Sequence, residues 1–258
     1  MRAVFIDAND ALAAITEKVR REGDLPVAIN RDPDVTPEEL AGRGITVHII
    51  KGYGDTAVAE CAIALMWASV KGFARMDRGM RAGQWLGIEG VQLTGKTLGL
   101  VGFGGVAAEV ARIALGSGMK LVAWNRSPRT YPSVEFVSLE QVLTQSDVVS
   151  LHLLLTDETR GLLSRERIAA MKPGVILVNT ARGALVDEQA MIEALRSGHI
   201  RHAGLEVIAT EPRPAGHVLT TLENVTLSAH SAFRTPEASD NLIGAALDHC
   251  RRIAATSF

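Results

Sequence analysis

Lys96–Arg126 reads KTLGLVGFGGVAAEVARIALGSGMKLVAWNR, and the order of residue types in it decides the fold. A short apolar run, Leu98–Gly102, leads into Gly102-Phe103-Gly104-Gly105-Val106-Ala107, a match to G-x-G-x-x-G/A. Val110, Ile113 and Ala114 follow at helical spacing, and a second apolar run, Lys120–Trp124, closes the unit. The pattern is strand, tight turn, helix, strand. In such a unit the first glycine permits the turn and the second lets backbone approach a pyrophosphate. The small third residue brings helix and strand close, and the helix N-terminus offers N–H donors to an anion. Glycines alone cluster by chance, so the strand before and the helix after are what make the motif specific. The unit is that of a Rossmann domain and predicts a bound nicotinamide dinucleotide.

The end of the second strand bears on which dinucleotide fits. An NAD-preferring site usually places Asp or Glu about 20 residues beyond the glycines, against the ribose hydroxyls. Here that place holds Asn125-Arg126-Ser127, with no acid. Asn125 does not repel a 2′-phosphate, and Arg126 can pair with one, so the sequence favours NADP over NAD.

From Thr97 onward, short apolar runs alternate with helical patterns. Candidate strands are Leu98–Gly102, Lys120–Trp124, Val148–Leu153, Val175–Asn179, Ala203–Val207 and Val225–Ala229. Most are continuously apolar, as for parallel strands buried on both faces. Ser138 with Gln141 forms a capping-box pattern; Asp187 can cap a helix through Leu195, and Gly198 can close it. Six strands with crossovers match a doubly wound parallel α/β sheet.

The first part is a smaller α/β lobe. Val4–Asp7, Val27–Asn30 and Ile45–Ile50 read as strands and Ala11–Glu22 as a helix, while Asp32-Pro33-Asp34 and Thr36-Pro37-Glu38 mark a loop and a helix start. A long helix follows, capped by Asp55 or Thr56, with Val58, Ala62, Leu65, Ser69 and Phe73 at helical spacing. Cys61, Ile63, Ala64, Met66, Trp67 and Val70 make it apolar nearly all round. Such a helix is expected to be buried on more than one side, between lobes or against a second subunit. Thr235-Pro236-Glu237 opens a last helix that could return to the small lobe. The implied domains are 1–51, completed by helix 235–258, and 52–234.

Composition narrows the class. The chain has 258 residues, 47% apolar and 22% charged, with net charge −2, in the range of an ordinary globular protein. No basic stripe points to nucleic acid. The longest apolar run, Cys61–Val70, is too short to span a bilayer, so a cytoplasmic protein is expected. Cys61 and Cys250 form no CxxC, and the histidines show no ligand spacing, so no metal is expected. Trp67, Trp85 and Trp124 read as packing residues.

Three strand ends carry candidate chemistry: Asn179-Thr180-Ala181-Arg182-Gly183, the Glu206–Pro212 segment, and Ser228-Ala229-His230. Open α/β sheets bind ligands at these carboxyl ends, so residues far apart in sequence can converge there. Arg182 can hold a carboxylate and polarise the neighbouring carbonyl. His230 can exchange a proton with that carbonyl oxygen, and Glu211 can orient the imidazole and favour its charged form.

The sequence resembles the D-isomer-specific 2-hydroxyacid dehydrogenases, the family that includes D-3-phosphoglycerate dehydrogenases and glyoxylate/hydroxypyruvate reductases. The resemblance runs from about Gly44 to Ala254. It rests on Val58-Ala59-Glu60, Arg81-Ala82-Gly83-Gln84-Trp85, Leu93–Leu98, the glycine motif, Met171-Lys172-Pro173-Gly174 and Asn179–Glu188. It implies that Arg182, Glu211 and His230 are catalytic. It also implies cofactor contacts from Gly102, Gly104, Gly105, Val106, Asn125, Arg126, Ser127, Thr156, Thr180, Ala181, Arg182, Glu206 and His230. By the same resemblance the small lobe is flavodoxin-like, the substrate is a 2-keto or D-2-hydroxy acid, and the chain is a homodimer.

Several departures stand out. Glu206 replaces a usual Asp, Leu154 a usual Pro, and Ser231-Ala232 follow the histidine where glycine is frequent. Between Leu40 and Gly44 the chain lacks several tens of residues of the substrate lobe, so that lobe is truncated. A cleft more open to water weakens the electrostatics of hydride transfer. Two functions therefore compete: an NAD(P)-dependent oxidoreductase, and a dinucleotide-binding protein with little catalysis that acts as a redox-sensing interaction module.

Overall fold

The computed structural model describes residues 3–6, 27–30 and 50–256. The helix expected over Ala11–Glu22, the loop and helix start expected over 32–38 and the shortened stretch after Leu40 lie outside the described residues. So, but for its last residue, does the strand expected over Ile45–Ile50. The chain divides into two compact units, one of Met1–Gly54 with Phe233–Phe258 and one of Asp55–Ala232. In the first, β1 (Ala3–Ile6) pairs in parallel with β2 (Val27–Asn30). Its last helix, α7 (Pro236–Thr256), starts after Thr235, whose hydroxyl accepts the Ala238 amide at 3.1 Å.

The second unit is a parallel sheet covered on both faces. Its strands are β3 (Thr97–Val101), β4 (Lys120–Trp124), β5 (Val134–Phe136), β6 (Val148–Leu151), β7 (Val175–Asn179), β8 (Ile200–Leu205) and β9 (Val225–Leu227). They lie in the order β5-β4-β3-β6-β7-β8-β9, all parallel. The order reverses between β3 and β6, which is the switch point where doubly wound sheets open a ligand crevice.

Continuous apolar runs form these strands because successive side chains enter opposite cores. On β7, Val175 and Leu177 join one buried cluster, while Ile176 and Val178 join the other. On β3, Leu98 and Leu100 face one way and Val101 the other. One face is covered by α1 (Asp55–Lys71) and α3 (Gly105–Gly116), through Ala62, Leu65, Met66, Val110 and Ala114. The other is covered by α4 (Leu139–Gln145), α5 (Arg165–Ala169) and α6 (Glu188–Ser197). Each fully buried leucine contributes about 2 kcal/mol from apolar burial.

The helix ends follow the local signals. Ser138 and Gln141 form a reciprocal capping box on α4. The Asp187 carboxylate accepts the Ala190 amide at 3.0 Å, and Gly198 ends α6 in the left-handed region at φ 79°. Caps of this kind are worth about 1 kcal/mol each.

Three expectations are corrected. The sheet has seven strands, not six: β5 is a short edge strand whose Val-Glu-Phe gives no usable period. The long helix stops at Lys71, because Gly72 adopts φ 67° and opens α2 (Phe73–Arg81), leaving Phe73 exposed. Within this unit the buried residues Ala59, Ala62, Leu65, Met66, Ser69 and Val70 run along one face, and Cys61, Ile63 and Trp67 are half-buried, as a helix with a further packing side requires. Trp85 is no packing residue among the described residues, being 89% exposed.

Candidate active site

Because the sheet is parallel, every strand of the second unit delivers its carboxyl end to one edge. At the end of β3, Gly102 turns the chain with φ 91°. A Cβ there would lie 2.7 Å from the carbonyl oxygen of His152 at the end of β6, so only glycine lets the turn pass this close. Asn125, after β4, accepts the Phe103 amide at 3.0 Å and ties the turn to its neighbour strand. Its own amide donates to the Ser127 carbonyl at 2.8 Å and hydroxyl at 3.1 Å.

α3 opens directly from this turn. Gly104, in extended conformation before it, provides no side-chain acceptor for the helix's first amides. Val106, in the first turn, is half-buried. Across the edge, Thr180 Oγ1 is buried without a hydrogen-bond partner among the described residues. Uncapped amides at a helix N-terminus and an orphaned buried hydroxyl are groups that a phosphate and a polar ligand satisfy. The Asp55 carboxylate lies against Gly105 at this helix start, so these residues fit a dinucleotide once that carboxylate swings aside.

Glu158 is bonded to Thr156 and feels the charge of Arg126. The Thr156 hydroxyl donates to Glu158 Oε2 at 2.6 Å. That bond is the first cause holding the Glu158 carboxyl below its usual range, with the charge of Arg126 adding to it.

On β7 and β8 the ladder runs past the strand ends. The Glu206 amide donates to the Asn179 carbonyl at 3.0 Å, and the His230 amide donates to the Glu206 carbonyl at 3.0 Å. Asn179 is 1% exposed, and its side chain shapes the next turn. Its Oδ1 accepts the Ala181 amide at 3.0 Å and its Nδ2 donates to the Arg182 carbonyl at 2.9 Å. Arg182 is thereby held at the edge with its guanidinium exposed, bonded to the Ala181 carbonyl at 2.6 Å and in no ion pair among the described residues.

A chain of contacts links this arginine turn to the histidine. A Cβ on Gly183 would lie 2.0 Å from the backbone carbon of Ile208, so the two segments touch through bare backbone. The Ile208 amide donates to Glu211 Oε1 at 3.0 Å, and Glu211 Oε2 accepts a hydrogen bond from Nδ1 of His230 at 2.5 Å. The Ala209 amide donates to Glu188 Oε2 at 3.3 Å, which steadies the same segment. Arg182, Glu211 and His230 thus share one patch of the edge. With Nδ1 engaged by a carboxylate, Nε2 of His230 is the nitrogen left to face a ligand.

Glu206 points inward. Its carboxylate is 2% exposed and accepts the amides of Ser231 and of Ala232, the latter at 2.7 Å, while the Cys61 thiol lies 3.6 Å from Oε2. Burial, then the charge of Glu206, pushes the Cys61 thiol up to about 12, so it stays protonated. Neither Cys61 nor the shaping role of Asn179 was read from the sequence. A polar residue closing the otherwise apolar Val175–Val178 run was the available signal for Asn179. Two further histidines sit apart from this patch: His152 bonds Ser150, and His202 bonds Thr226, each at 2.9 Å.

The chain is similar to several known proteins. The family model described as D-isomer specific 2-hydroxyacid dehydrogenase, NAD binding domain, matches residues 63–232. A hydroxypyruvate reductase of Thermotoga maritima is 43% identical over 211 residues, which is 80% of this chain and 69% of that protein. A glyoxylate reductase of Korarchaeum cryptofilum is 37% identical over 219 residues, 81% of this chain and 66% of that protein. The crystal structure of a glyoxylate reductase from Paecilomyes thermophila superposes with TM-score 0.77 at 33% identity, covering 88% of this chain and 73% of that one. The chain therefore spans about two thirds of the length of the curated relatives it matches. With the glycine turn, the parallel sheet and the model match in one stretch, the chain belongs to the D-isomer specific 2-hydroxyacid dehydrogenase family and carries its NAD-binding domain.

Proposed function

We propose that this chain is an NAD(P)-dependent reductase of small 2-keto acids, working reversibly on the D-2-hydroxy acids. The observation that carries the reading is the His230–Glu211 hydrogen bond of 2.5 Å, joined through Ile208 to the turn of Arg182. Arg182 presents an exposed guanidinium, in no ion pair among the described residues, of the type that grips a carboxylate. With the acid held there, its keto oxygen faces the imidazole. His230 in its charged form donates the Nε2 proton to that oxygen, and Glu211 holds Nδ1–H throughout. When bound, the reduced nicotinamide supplies the hydride to the keto carbon. The product hydroxyl thus takes its oxygen proton from His230, which is left neutral.

The preferred cofactor in this reading is NADP. Arg126 stands free of any hydrogen bond to protein acceptors among the described residues, while Asn125 and Ser127 bond one another and place no acid at the ribose position. Thr156, Thr180, Ala181 and the backbone of Gly105 and Val106 complete the cofactor contacts. The exposed Trp85 and half-covered Trp67 support a homodimer, which light scattering of the purified protein decides.

The test is oxidation of NADPH and NADH with glyoxylate, hydroxypyruvate and phenylpyruvate. Turnover with at least one acid, faster with NADPH, is expected. Cofactor binding without any turnover would replace this reading by that of a dinucleotide-binding module.

A further inference from the structure

His230 occupies the left-handed region at φ 48°, a conformation that a residue with a Cβ adopts only when its surroundings impose it. What imposes it is Glu206. The Glu206 carbonyl accepts the His230 amide at 3.0 Å, and its carboxylate accepts the amides of Ser231 and Ala232. Three consecutive amides around the turn therefore end on one residue. Among the described residues no cation pairs with this carboxylate. Its remaining partner is the Cys61 thiol of α1, at 3.6 Å, so the turn is also pinned to the helix beneath.

We infer that Glu206 is a positioning residue for His230: its buried carboxylate clamps the left-handed turn that aims the imidazole. The inference rests on the reading of His230 as the acid–base group. The side chain's length matters more than its charge here. An aspartate retracts the acceptor by one methylene, out of reach of Ser231 and Ala232. A glutamine keeps one oxygen at the same reach and loses only the charge. The clamp thus predicts an unusual ranking, in which the shorter acid is worse than the uncharged isostere.

The experiment compares E206D and E206Q with wild type by steady-state kinetics and by proton NMR of the His230 Nδ1–H resonance. E206D is expected to lower kcat by about 10- to 100-fold, the cost of a misaimed catalytic group. E206Q is expected to lose several-fold less. The downfield signal of the Nδ1 proton shared with Glu211 should persist in E206Q and broaden or shift in E206D. If E206Q is as impaired as E206D, or both match wild type, the clamp is wrong. Should the wild type show no turnover, the proposed function fails, yet the NMR comparison still decides the clamp. Should E206D not fold, loss of the downfield signal in folded E206Q overturns the inference, and its persistence supports it.

Discussion

Nδ1 of His230 lies 2.5 Å from Oε2 of Glu211, a bond between residues 19 apart in sequence that leave different segments of one sheet edge. The second oxygen of Glu211 accepts the Ile208 amide, so the carboxylate cannot rotate without giving up both bonds. This pair should behave as a unit. His230→Ala is expected to reduce kcat by about 10²- to 10⁴-fold, the usual contribution of a positioned acid–base group. Glu211→Gln should lower it less, since an amide oxygen can still accept Nδ1–H. Unchanged turnover in His230→Ala would remove the pair from the chemistry.

Cofactor choice turns on Arg126. Losing one charge-assisted contact to a phosphate, worth about 1.5–3 kcal/mol, should weaken NADPH binding by roughly 10- to 100-fold in Arg126→Ala. NADH lacks the 2′-phosphate, and its affinity should change little. Fluorescence titration of both reduced cofactors measures the difference, and equal effects on both would reject the contact.

Gly183→Ala tests the backbone contact that joins the arginine turn to the glutamate segment. The added methyl would sit 2.0 Å from the Ile208 carbon and 2.1 Å from its oxygen, so one segment must move. Overpacking of this kind costs about 1–3 kcal/mol or more. We expect a lower thermal midpoint and, because the displaced Ile208 carries the Glu211 bond, a fall in kcat/KM of about 100-fold. Wild-type values for both would show that the two segments part freely.

Stability should depend on pH through buried His202 and half-buried His152. Burial lowers His152 from 6.5 to about 4; burial, then the charges of Arg78 and Arg201, lowers His202 from 6.5 to about 4. Between these values the unfolded chain binds protons that the folded one refuses, so stability falls as pH drops. Stability from these groups is complete above pH 6.5, is lost progressively toward pH 4, and stays flat below. Each contributes roughly 3 kcal/mol at most across that window. Urea midpoints measured from pH 7.5 to 4 should decline, and His202→Gln should flatten the decline. An unchanged slope in that variant would exclude His202 as a source.

Much of the second unit was legible because its signals are local. The glycine turn, the capping box of Ser138, the Asp187 cap and the Gly198 stop each depend on residues within one helical turn of one another, and each is found as read. The strands were legible because sealing both faces of a parallel sheet demands uninterrupted apolar residues. β5 was not, since three residues on an edge carry no period, and the break at Gly72 was missed because the apolar spacing continues through Phe73. Of the site, the residue types could be named from the strand ends. The inward turn of Glu206 could not, because its partners are Cys61 on a distant helix and the amides beyond His230.

An alternating α/β unit with a dinucleotide turn, and the polar residues at its strand ends, can be read from the chain's residue order. Those facts follow from periodicity and turn chemistry, which act between near neighbours. That Gly183 presses on Ile208, that Ile208 holds Glu211 and that Glu211 meets His230 emerges only once the chain is folded. Such contacts exist because the order of parallel strands brings segments far apart in sequence to one edge, and no local pattern encodes that order.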